Sequence, residues 1–111
     1  MKPTAAIVSA LGMVRNVKLG YGRYAKPEVS YDETLVPEPV ELLGLSGFIL
    51  KDERPPFHLH GVFGSVNFGA IGGHLFDAEV VTFVELCLRL SDAPIRRQIK
   101  DGLTEMVFDG Q

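Results

Sequence analysis

Phe57-His58-Leu59-His60-Gly61-Val62-Phe63-Gly64-Ser65-Val66-Asn67-Phe68-Gly69-Ala70-Ile71-Gly72-Gly73-His74-Leu75 is the stretch on which the reading of this chain turns. Its first arm alternates as a β-strand does. Residues two apart in a strand point to one face, so His58 and His60 aim at one point. Gly64 to Gly69, with Ser65 and Asn67 between the glycines, reads as the turn of a hairpin. A turn centred near Asn67 pairs His60 with His74 and Val62 with Gly72, and makes His58 the diagonal neighbour of His74. Three imidazoles, the whole histidine content of the chain, then converge on one side of one hairpin. The inference depends on register, because a slip of one residue sends His74 to the other face.

Three histidines with room for a water form the ligand set of an open zinc site. The same nitrogens suit other borderline divalent metals. The plain alternative is three scattered surface or core histidines; their spacing, common facing and the absence of any other histidine weigh against it.

The 111 residues are enough for one domain, taken as 1–111, and too few for two. A hydrophobic content of 46% supports a packed core, although a domain this small buries a limited share of its surface. The formal net charge of -3 argues against a generic electrostatic grip on nucleic acid or anionic lipid. The single cysteine, Cys87, rules out an internal disulfide and fits a reducing, cytoplasmic setting. Its apolar, alternating surroundings predict a buried, inert thiol. Lys2 followed by Ala5 to Gly12 loosely imitates a secretory signal, but Pro3, the shortness of the run and the prompt Arg15 and Lys18 favour a buried strand. No stretch approaches the ~20 apolar residues of a membrane span, so a soluble protein with no membrane partner is expected.

Along the chain, Ala5 to Leu11 reads as a buried strand ending at Gly12, and Val14 to Tyr24 as a second. Val29 to Val36 alternates as a half-exposed strand, and Val40 to Leu50 forms the next. A loop, Lys51 to Pro56, leads into the histidine hairpin. Phe76-Asp77-Ala78 reads as a turn into Glu79 to Leu90, the longest apolar segment, where β-branched density and twofold alternation favour a strand over a helix. Ile95 to Gln111 is open between a short helix and a final strand. The fold class is a strand-dominated single domain.

The order Leu45-Ser46-Gly47, Phe57-His58-Leu59-His60, Ile71-Gly72-Gly73-His74-Leu75 and Val81-Thr82-Phe83-Val84-Glu85 resembles the prokaryotic branch of the PPC domain, also called DUF296. Val8 to Asn16 resembles the family's segment after its first helix. The likeness spans roughly residues 5 to 90 and is specific as a combination. It implies an α/β (α+β) fold with a mainly antiparallel sheet, a homotrimer, and a zinc ion held by His58, His60 and His74. The family opens with a strand and helix that this chain is read as lacking. Its prokaryotic members are often labelled DNA-binding by analogy with plant relatives that carry AT-hook peptides. No such Arg-Gly-Arg-Pro peptide exists here.

Three functional readings stand side by side. The favoured one is a zinc-binding homotrimeric module with a regulatory or scaffolding role, with room for an unidentified protein partner or a small ligand at the metal. The second is a small zinc metalloenzyme using an activated water, for which Glu85 and Glu79 are the nearest acid–base candidates. Glu85 lies in an otherwise apolar strand, where an unpaired carboxylate is costly; it is read as a partner for a ligand imidazole or as pairing with Arg89 across the strand end, rather than as a catalytic group. The third is a nucleic-acid binder; Arg96, Arg97 and Lys100 form the only basic cluster, which a solvated face explains more simply. DNA is therefore not expected as a strong partner of the isolated domain.

Overall fold

Strand β1 (Thr4–Ala25) runs for 22 residues without a break, through the Gly12 at which the sequence pattern suggests an end. The computed structural model describes residues 4–25, 28–92, 95–100 and 103–108. Register shifts at Ile7/Ser9, Gly12/Val14 and Arg15/Lys18 bend β1 without ending it. Such bulges re-aim a strand while its pairing continues. Asn16 supports the last of these with a φ of 50° and an N–H donated to the Pro37 carbonyl at 3.4 Å.

The remaining strands are β2 (Glu28–Val36), β3 (Val40–Leu50), β4 (Phe57–Ser65), β5 (Gly69–Ser91), β6 (Ile95–Lys100) and β7 (Leu103–Phe108). All pairings are antiparallel. Among the described residues there is no helix, and so none long and apolar enough to cross a membrane. Within the segment from Ile95, open between helix and strand in sequence, the described residues are the antiparallel pair β6 and β7.

The ladder returns to itself, from β1 to β3 to β4 to β5 and back to β1, with β2 attached to the later half of β1. One cross-strand row makes this concrete. Val84 opposes Gly12, Gly12 opposes Leu42, Leu42 opposes Phe63 and Phe63 opposes Ile71, so the row leaves β5 and re-enters it thirteen residues earlier. Leu42 and Phe63 are buried and Ile71 and Val84 pack against them, together with Val14, Val17, Leu19 and Val40. These residues are the core, and period-two alternation places their neighbours on the other face.

Beyond Glu79, β5 departs from expectation. Val80, Phe83, Leu86 and Leu90 are exposed, and so is the Cys87 thiol, which corrects its reading as a buried group. Strand alternation alone does not reveal that no described residue covers this segment.

Candidate metal centre

The β4–β5 hairpin has the register expected from the sequence: His60 opposes His74, Val62 opposes Gly72, and Ser65 opposes Gly69 across the turn. Gly69 takes a φ of 77°, and the Asn67 N–H donates to Ser65 Oγ at 3.1 Å, which closes the reversal. A second row crosses all five strands of the sheet: Ser46, His60, His74, Gly20 and Glu33. It lies on the face opposite Phe63 and Leu19, whose side chains are in the core.

The three rings form a near-equilateral triangle. Centroid separations are 5.3 Å for His58–His60, 5.3 Å for His58–His74 and 5.4 Å for His60–His74. One nitrogen from each lies within 4.8 Å of the others. A tetrahedral ion with Zn–N of ~2.0–2.1 Å requires nitrogens ~3.3 Å apart, within reach of small ring rotations. His60 is exposed, His58 and His74 are half-buried, and His74 Nδ1 is out of solvent. Three convergent imidazole donors fit a divalent metal of borderline softness.

Two glycines are required by this arrangement. Gly47, on β3 opposite Leu59, has a φ of 131°, and a Cβ there would collide with the His58 carbonyl. It lets β3 lie against the backbone that carries His58. Gly20, opposite His74, leaves a gap in the outer row that the Phe76 ring fills, with Tyr31 against it. Phe76 packs on His74 at 4.7 Å and Tyr31 at 5.4 Å, with Tyr31 edge-on to Phe76 at 5.7 Å. These two aromatic rings pack against His74.

A cavity of about 570 Å³ opens beside the cluster, bounded by His58 and His74, by Tyr31, Phe57 and Phe76, and by Arg54 at its rim. Sequence reasoning missed Tyr31, Arg54 and Phe76. Phe76 carried a signal, since it stands two residues after His74 and shares its face. Tyr31 carried none, because the β1–β2 ladder brings it in.

The acidic candidates are not brought to the histidines within the chain. Sequence reading placed a turn at Phe76-Asp77-Ala78, but β5 continues through those residues. Glu85 therefore opposes Leu11, eleven residues beyond His74, on the order of 35 Å along the strand at ~3.3 Å per residue. It is exposed. Glu79 opposes Arg15 and accepts a hydrogen bond from its Nε at 2.9 Å. That bond, with a second from Asn16, holds the Glu79 carboxyl below its ordinary range. Of the basic cluster, Lys100 is exposed on β6, and the side chains of Arg96 and Arg97 lie outside the described residues.

A strand-dominated, antiparallel domain with three convergent histidines on a glycine-rich hairpin is the class that fold and site define. The chain belongs to the Plants and Prokaryotes Conserved (PCC) domain family, whose model matches residues 1–91. It is similar to a plant- and prokaryote-conserved (PPC) protein of Pyrococcus horikoshii, with 32% identity, a TM-score of 0.76, and coverage of 97% of this chain and 73% of that one. It is similar also to a metal-containing protein of Archaeoglobus fulgidus, with 33% identity, a TM-score of 0.66, and coverage of 93% and 74%. A candidate DNA-binding protein of Bacteroides thetaiotaomicron shares the fold at 24% identity, a TM-score of 0.66, and coverage of 97% and 73%. No curated protein shows significant sequence similarity to the chain.

Proposed function

We propose that this domain is a zinc-binding homotrimeric module with a regulatory or scaffolding role in the cytoplasm. The observation that carries the metal is the triangle of His58, His60 and His74, with its donor nitrogens within 4.8 Å of one another. Three imidazole nitrogens and an open position match the ligand set of open zinc sites. The metal-containing relative from Archaeoglobus fulgidus supports the reading. An exposed Cys87 fits a compartment that keeps thiols reduced.

Self-assembly is supported by surface. The chain exposes 7388 Å², against roughly 6,100 Å² for a compact monomer of its mass. Its radius of gyration is 15.1 Å, against about 13 Å for a compact chain of this length. Val8, Leu11, Val80, Phe83 and Leu86 contribute apolar area to that excess, as a surface that partner copies cover would.

The metalloenzyme reading is weaker, because Glu79 and Glu85 stand away from the cluster within the chain. DNA binding by the domain depends on phosphate neutralisation, for which a net charge of -3 offers little. The deciding experiment measures metal by mass spectrometry and molar mass by sedimentation on one preparation. About one zinc per chain and a trimer mass are expected; a metal-free monomer overturns the proposal. Duplex DNA should bind only weakly at about 0.15 M salt.

A further inference from the structure

The cavity beside the histidines has a chemical character of its own. Its volume, about 570 Å³, falls within the range of sites that enclose a small organic molecule. Phe57, Leu75 and Phe76 supply apolar wall, Tyr31 adds an aromatic face, and the exposed Ile99 of β6 borders one side. Among the described lining residues one carries a full charge, Arg54, and none is a carboxylate. Arg54 borders the cavity from an exposed position, and its Nη1 donates to the Glu53 carbonyl at 3.2 Å. A guanidinium has five N–H donors in a planar fork, so one bond to a carbonyl leaves most of its capacity.

We propose that this cavity binds a small carboxylic acid with an aromatic or branched apolar body, its carboxylate on Arg54 and its body between Tyr31, Phe57 and Phe76. Two coplanar oxygens match the guanidinium fork. A phosphate monoester carries nearly two charges and is served less well by one cation and an apolar wall. The assignment rests on the metal reading only for added attraction, since an ion on His58 and His74 would place a second positive pole at the cavity wall. The Arg54 contact stands without it.

The test uses calorimetric titration of the full chain, zinc-free and after incubation with zinc, with metal content measured on each sample. Phenylacetate is compared with acetate, 2-phenylethanol and phenyl phosphate. Phenylacetate should bind about tenfold or more tightly than each of the others, and Arg54→Gln should weaken it by about tenfold while leaving 2-phenylethanol unchanged. Arg54 is exposed, so the variant should fold; Phe76→Leu, which keeps an apolar wall, should weaken phenylacetate and 2-phenylethanol together. Phenylacetate binding no tighter than acetate, indifference to Arg54→Gln, or a preference for phenyl phosphate would each overturn the assignment. Zinc uptake without phenylacetate binding overturns it and leaves the metal reading intact. Arg54-dependent phenylacetate binding in a protein that takes up no zinc does the reverse.

Discussion

Strand β5 contains two regions of opposite character. From Gly69 to Phe76 it is glycine-rich, pairs with β4 on one side, and carries His74 under Tyr31 and Phe76. From Glu79 to Ser91 it pairs with β1 and presents Val80, Phe83, Leu86 and Leu90 to solvent. Both regions have strand geometry and alternating side chains. They differ in cover: Tyr31, Phe76 and the loop residues Arg54 and Pro55 lie around the first, whereas from Glu85 onward every described residue of the second is exposed, on both faces of the strand. Secondary structure is thus a poor guide to role here, and cover is the better one.

The two regions should come apart under substitution. His74→Ala removes one of three donors and is expected to lower zinc affinity by more than about 100-fold while leaving sedimentation unchanged. Metal competition with a chromophoric chelator measures this, and full zinc retention would refute the proposed site. Gly47→Ala forces a Cβ into the His58 carbonyl at a φ of 131° and should cost about 3 kcal/mol, read from urea unfolding, with metal affinity falling as well. Normal stability in that variant would show that β3 and β4 can separate without penalty.

Phe83→Asp acts on the other region. It should weaken self-association by about 2 kcal/mol per copy and leave zinc content intact, as judged by sedimentation at several concentrations. Loss of zinc with assembly preserved would invert the assignment of roles. The smallest effect is expected at the junction, from Arg15→Ala. Glu79 has a folded-state pKa below its unfolded value, so the stabilisation is present above the unfolded pKa and lost as pH falls through the folded one. The variant should therefore be slightly less stable than the parent at neutral pH and equal to it in strong acid. Both groups are exposed and solvent-screened.

Legibility followed distance along the chain. The histidine triangle was readable because period-two facing and one short turn settle it within nineteen residues. The strands at Val29 to Val36 and Val40 to Leu50 were readable for the same local reason. The continuity of β1 through Gly12 was not, because a bulge and a strand end share one signal, a glycine that interrupts alternation. The turn expected at Phe76-Asp77-Ala78 failed similarly: a charged residue within an apolar run marks an outward position, here Asp77 opposite Lys18 across a register shift. Whether Glu85 reaches the histidines was open in the sequence; within the chain the unbroken strand carries it away from them. Tyr31 and Arg54 reach the cavity through the β1–β2 ladder and the β3–β4 loop, which no local pattern encodes.

The closed ladder also sets an order of assembly in time. His58, His60 and His74 meet across one hairpin, whereas Thr4 pairs with Ser91 at the opposite end of the folded segment. Hairpins close in microseconds, while contacts between distant parts of a chain pay a larger loop entropy and slow folding. The donor triangle is therefore expected to exist before the ring of strands is sealed.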